Sequence, residues 1–250
     1  MGSPLAGSLV IVGTGPGKPE LMTPATLAAL AEATDLVGYG PYLERVPAAA
    51  GQCRHASENR VELDRARQAL ALAVAGRKVA VVSGGDPGVF AMAAAVFEAV
   101  ETGDPAWRSL DIRVEPGVTA MLAAAAEVGA PLGGDFCAIS LSDNLKSWAT
   151  IEHRLRAAAE ADFVIALYNP ASRARPHQLG QAFALLRTVK TGETPVLFVR
   201  AAGTRDARVV AMTLADADAA NADMRTLVIV GASTTRRVGR WIYTPRGARP

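Results

Sequence analysis

The sequence has little of what several functional classes require. It holds 2 cysteines, Cys53 and Cys137, in 250 residues, too few and too far apart for a disulfide framework or a thiolate metal site. Its 3 histidines, His55, His153 and His177, are isolated from one another, so no metal-ligand spacing and no nucleophile–histidine pair can be read, and no metal is expected. Aromatic residues make up 5% of the chain, which argues against a base-stacking surface. A formal net charge of +2 is too small to make the whole molecule a polyanion binder. No nucleic-acid partner is expected. The opening segment MGSPLAGSLVIV has no positive charge before its apolar run, and the later apolar stretches are interrupted by Glu98 and Glu127. Neither a signal peptide nor a membrane contact is expected, and the small cysteine count fits a reducing cytoplasm.

What is abundant is small and aliphatic. Hydrophobic residues reach 50%, mostly Ala, Val and Leu, a composition suited to close helix-on-sheet packing. Short Val/Ile/Leu runs that end in Gly/Pro loops alternate with Ala/Leu runs of helical period, which predicts an α/β fold with a largely parallel sheet. In the first half, strands are predicted at Leu9–Val12, Val79–Ser83 and Asp111–Glu115. Helices are predicted from Thr23-Pro24 to about Ala33, and at Leu63–Ala75, Val89–Glu101 and Val118–Val128. The run Gly129-Ala-Pro-Leu-Gly-Gly134 is a turn-rich break, so the expected division is 1–130 and 131–250. The second half reads as a mixed sheet, with strands at Cys137–Ser140, Asp162–Leu167 and Pro195–Val199 separated by helices. Val209–Thr213, Thr226–Val230 and Arg240–Tyr243 follow with short connections that suggest antiparallel pairing.

Three loops stand out. Gly13-Thr-Gly-Pro-Gly17 follows the first strand, where a dinucleotide site is the obvious reading, but Pro16 and Pro19 block the helix that such a site needs at the phosphates. Nor is it a P-loop, because Lys18 is followed by Pro19. Ser83-Gly-Gly-Asp-Pro-Gly88 and Glu115-Pro-Gly-Val-Thr-Ala120 repeat the strand–loop–helix arrangement at the sheet edge where open α/β folds bind ligands. Asp86 is placed to cap the helix that follows it.

The segments VGTGPG, SGGDPGVF, EPGVTA, ALYNP and TLVIVG occur in an order and spacing that resembles the tetrapyrrole (corrin/porphyrin) methylases over nearly the whole chain. Within that family, SLSD and LYNP look most like the branch that methylates precorrin-3B at carbon 17. The resemblance implies two α/β lobes, an open mostly parallel sheet and then a mixed one, with S-adenosylmethionine in the cleft between them and S-adenosylhomocysteine as product. It also implies an anionic tetrapyrrole substrate and a homodimer. Carried over by position, Pro16, Gly84, Gly85, Asp86, Val89, Thr119, Ala120, Leu167, Tyr168, Asn169 and Ala202 would touch the cofactor. Two positions depart from the branch: Gly40 stands where Lys is expected, and Ala201-Ala202-Gly203-Thr204 replaces an Asn-Ala-Gly-Arg-like stretch.

Methyl transfer to carbon is mainly a matter of positioning, whereas ring contraction also needs proton traffic. Asp143 and Ser142 of SLSD are the candidates for it, with Tyr168 and Asn169 as hydrogen-bond partners. The competing reading is that Ser142 and Asp143 cap the helix near Ser147. Residues 196–250 carry nine Arg and four Asp, a basic excess suited to a polycarboxylate. Gly15, Arg173, Arg175, Arg200 and Arg236 are the expected substrate contacts, the arginines because each follows a strand and would share one edge. The remaining alternatives are another tetrapyrrole methylase, including one acting on a cobalt-containing or siroheme-type substrate, diphthine synthase, and a nucleotide-binding dehydrogenase.

Overall fold

The structure, a computed structural model, describes residues 7–58, 61–172 and 174–247. Its contacts divide the chain into two units, Met1–Ala120 and Met121–Pro250, and the expected boundary at 130 lies ten residues further on.

The first unit runs β1 (Ser8–Gly13), α1 (Pro24–Glu32), β2 (Asp35–Tyr39), α2 (Gly40–Leu43), β3 (Cys53–Ser57), α3 (Glu62–Val74), β4 (Lys78–Ser83), α4 (Met92–Thr102) and β5 (Asp111–Glu115). Among the described residues its strands form one sheet in the order β3-β2-β4-β1-β5, with every pairing parallel. Alternation along β1 sends Leu9 and Ile11 to one face, against Ala66, Ala69 and Ala73 of α3 and Val96 and Ala99 of α4. Val10 and Val12 go to the other face, against Ala29 and Leu30 of α1. Both faces of the central strands are therefore covered, which is why they read as unbroken apolar runs. The chain leaves β1 in one direction and β4 in the other, so the topological switch point lies at the carboxyl ends of these two neighbours.

The second unit holds α5 (Ala120–Val128), whose first residue closes the first unit, then β6 (Gly129–Ala130), β7 (Phe136–Ser140), α6 (Trp148–Glu160), β8 (Val164–Tyr168) and α7 (Gln178–Leu186). It continues through β9 (Pro195–Arg200), β10 (Arg208–Thr213), β11 (Thr226–Val230), β12 (Arg236–Val238) and β13 (Trp241–Tyr243). The main sheet has the order β10-β9-β11-β8-β7, and β12, β13 and β6 form a small separate one. β7 and β8 are parallel, whereas β11 runs antiparallel to both β8 and β9. Phe183, Phe198, Leu155, Leu167 and Val228 are among the buried residues of its core. Among the described residues no helix is long and apolar enough to cross a membrane.

The predicted mixture of a parallel and a mixed sheet is present. Four strands have no counterpart in the sequence reading: the short β6 and β12, and in the first unit β2 and β3. Gly38 interrupts β2, and β3, CRHAS, is an edge strand with no fully buried residue.

Candidate functional site

In the first unit the three glycine loops lie side by side because β1, β4 and β5 are adjacent and parallel. Gly15 and Gly85 exchange backbone hydrogen bonds of 3.1 and 2.9 Å, and both have a positive φ, +70° and +66°, which glycine adopts without steric cost. A Cβ on Gly117 would lie 2.3 Å from the Gly85 carbonyl oxygen, and one on Gly13 would lie 2.7 Å from the Gly117 nitrogen. Side chains are thus excluded where the loops touch. Gly85 faces Thr119 and Ala120, whose backbone atoms are 3.8 and 3.9 Å from the place its Cβ would take. The first unit therefore brings Gly15, Pro16, Gly84, Gly85, Asp86, Val89, Thr119 and Ala120 to one edge.

Asp86 does not do what its position in the sequence suggests. α4 starts at Met92, with Ala91 at the cap and no capping side chain. The Asp86 carboxylate instead accepts hydrogen bonds from the backbone of Gly88 at 2.8 Å and of Gly117 at 3.0 Å. It ties the second loop to the third, a contact 31 residues apart that no local rule could supply. Tyr42, missed in the sequence, walls this edge: a Cβ on Gly84 would lie 2.7 Å from its ring.

In the second unit the parallel pair β7 and β8 delivers SLSD and LYNP to the same edge. The Asn169 side-chain amide donates to Ser140 Oγ at 2.9 Å, and the Ser142 backbone N–H donates to the same oxygen at 3.3 Å. Asp143 accepts from Gln178 Nε2 at 3.0 Å, and its other oxygen lies 4.0 Å from Arg175 Nε. Arg175 also donates to the carbonyls of Leu141 and Asn169. The helix at 148 is capped by Ser147 itself, whose hydroxyl accepts from the Thr150 N–H, which leaves Ser142 and Asp143 out of that role. Leu167 is fully buried in the core, so only its backbone faces the edge. Ser140 and Gln178 were missed because each acts across 29 to 35 residues.

The arginines separate. Arg175 belongs to the cluster just described. Arg200 ends β9 at the same edge, since Thr226 pairs with it and Val228 pairs with Leu167; Ala202 follows it there. Arg200 donates to Asp223 at 2.7 Å. Burial pushes the Asp223 carboxyl up, but hydrogen bonds from Arg200, Thr226 and the Arg225 backbone outweigh it and hold it below the usual carboxylate value. Arg236 is a correction: because β11 is antiparallel, its carboxyl end and the residues after it lie at the opposite edge from Tyr168. Arg236 there donates to the Tyr243 hydroxyl and lies over its ring. Arg173 lies outside the described residues. Among the described residues no group of three or more His, Cys, Asp or Glu side chains is placed to hold a metal ion.

The profile of the Tetrapyrrole (Corrin/Porphyrin) Methylases matches residues 8–218. A precorrin-3B C(17)-methyltransferase from Sinorhizobium sp is 59% identical over 247 residues, which is 97% of this chain and 97% of that protein. A probable cobalt-factor III C(17)-methyltransferase from Salmonella typhimurium is 43% identical over 249 residues, 96% of this chain and 98% of its own length. The crystal structure of the methyltransferase CobJ superposes with a TM-score of 0.94 at 54% identity, covering 96% of this chain and 100% of its own.

Proposed function

Since the chain belongs to the tetrapyrrole (corrin/porphyrin) methylase family, we propose that it methylates precorrin-3B at carbon 17. Ring contraction to precorrin-4 accompanies the methylation, as a step of cobalamin biosynthesis. The observation that carries this reading is identity of 59% across 97% of both chains with a protein of that activity. The lower identity, 43%, to a cobalt-factor III relative favours a metal-free substrate.

S-adenosylmethionine supplies the methyl cation. The first unit's edge suits such a cofactor, because its side-chain-free glycines let a ligand approach the backbone closely. Gly84, Gly85, Val89, Thr119 and Ala120 are the residues that would hold it there, with Pro16 beside them. Within the second unit, Tyr168, Asn169, Ala202 and the Leu167 backbone are the residues that the family resemblance assigns to cofactor binding. Asp86 supports the loops from behind. Arg175 and Arg200 supply positive charge for substrate carboxylates, and Gly15 is the substrate contact assigned to the first unit. Asp143, gripped by Gln178 and faced by Arg175, accepts a proton from the ring hydroxyl, with Ser142 beside it. We read the enzyme as a cytoplasmic homodimer on family grounds.

Incubation of the purified protein with precorrin-3B and S-adenosylmethionine, followed by mass spectrometry, should show the gain of one methyl group. Absence of that gain with an intact, folded protein rejects the substrate assignment. Faster turnover of cobalt-factor III would move the assignment to the metal-containing relative.

A further inference from the structure

In the turn after β9, Ala201, Ala202 and Gly203 are all buried, and the backbone is left-handed at Ala201, φ +51°, and at Gly203, φ +70°. An alanine in that region is strained, so the turn persists because its surroundings hold it. The Ala201 N–H donates to the Arg225 carbonyl at 2.8 Å, and the Thr204 N–H and hydroxyl donate to the Ala201 carbonyl at 3.1 and 2.8 Å. The Gly203 N–H is held differently. It donates to the Glu127 side chain, at Oε1, over 3.2 Å and across 76 residues of sequence.

Nothing in α5 itself asks for an acid at 127. The helix reads AMLAAAAEV, apolar at every position but that one, and a carboxylate in the last turn faces the negative end of the helix dipole. What the side chain does there is satisfy a buried backbone donor. The other end of the same helix is pinned as well, since the Met121 N–H donates to the Tyr168 hydroxyl at 3.0 Å. Tyr168 ends β8 and Ala201 follows β9, and β11 lies between those two strands. Two strand spacings amount to about 10 Å, and an α-helix rises about 9 Å between positions 121 and 127. α5 therefore spans this edge of the second unit from β8 to β9, with a hydrogen bond at each end.

We propose that Glu127 is a positioning residue for the cofactor, which fixes the Gly203 N–H and so sets the Ala202 backbone that S-adenosylmethionine meets. The inference rests on the assignment of Ala202 to the cofactor under Proposed function. Glu127 acts through the turn and does not touch the ligand. A strained turn whose central N–H lacks its acceptor samples other conformations, and apparent affinity falls with the fraction of molecules that hold the competent one.

Wild type, Glu127→Gln and Glu127→Ala are titrated with S-adenosylhomocysteine by calorimetry, and amide hydrogen exchange at residues 202–204 is followed with and without that ligand. Glu127 is exposed, so both variants should fold. Glutamine keeps an oxygen for the Gly203 N–H, and Glu127→Gln should bind as wild type does. Glu127→Ala should exchange its Gly203 amide faster and bind about tenfold more weakly, as if about one molecule in ten held the competent turn. In wild type the ligand should slow exchange at Ala202. Unchanged affinity in Glu127→Ala, whatever its Tm, would overturn the proposal, and so would an equal loss in Glu127→Gln, where the acceptor is retained. Binding by wild type without protection of Ala202, or no binding at all, would reject the cofactor assignment of Ala202 and the proposal with it. Protection of Ala202 combined with unchanged affinity in Glu127→Ala would leave that assignment standing and remove Glu127 alone.

Discussion

The hydroxyl of Tyr168 accepts a hydrogen bond from the backbone N–H of Met121 at 3.0 Å. A side chain at the carboxyl end of β8 thereby satisfies one of the donors that the first turn of α5 leaves without an intrahelical partner. The same bond fixes the ring of a residue that we place against the cofactor. Tyr168→Phe should cost about 1 kcal/mol, a fall in Tm of roughly 2–4 °C for a chain of this size. Differential scanning fluorimetry reads it directly.

Gly117 and Gly40 should respond oppositely to the same added methyl group. A Cβ on Gly117 meets the Gly85 carbonyl at 2.3 Å, whereas one on Gly40 has nothing within 4 Å. Gly117→Ala must push two backbones apart, with a stability loss on the order of 1–3 kcal/mol and weaker cofactor binding. Gly40→Ala should leave denaturant stability and cofactor affinity unchanged. Urea unfolding of the two variants side by side is the measurement.

Asp143 lies 3.0 Å from Gln178 Nε2 and 4.0 Å from Arg175 Nε, in a cluster confined to the second unit. Asp143→Ala should slow turnover at least about tenfold, the low end of general acid–base help. Binding of S-adenosylmethionine, followed by calorimetry, should be unaffected. Turnover equal to wild type would remove Asp143 from the proton path.

Acid should weaken the first unit through Asp35. Burial raises this carboxyl's pKa, but hydrogen bonds from His55, Arg77 and Thr34 outweigh burial and hold it below the ordinary value. A carboxylate with a depressed folded pKa adds stability above its unfolded pKa of about 3.9, and that stability is lost as pH falls through the folded value. The Tm of the wild type should therefore drop below about pH 4. Asp35→Asn should be less stable than wild type at neutral pH, with the difference narrowing below that point. A gap independent of pH would show that packing around Asp35, rather than its charge, is what matters.

Much of the fold was legible because its signals are local. The apolar runs at β1 and β4 and the Ala-rich helices between the strands reflect burial on two faces, and the glycine loops mark where backbones must touch. Family membership was legible for the same reason: the loops that carry it are contiguous segments. β3 was not, because an edge strand with no fully buried position has no hydrophobic pattern to display. Asp86 could be given a capping role from its neighbours, yet its partners include Gly117, which only the parallel pairing of β4, β1 and β5 brings within reach. Gln178 reaches Asp143 because β7 and β8 end at one edge and α7 begins beside them. Arg236 shows the limit most clearly. An apolar run such as TLVIV declares a strand but carries no sign of its direction, since side-chain burial is the same whichever way the backbone runs. The antiparallel hydrogen bonds of β11 set that direction, and they place Arg236 at the edge opposite Tyr168 while keeping Arg200 at the same one.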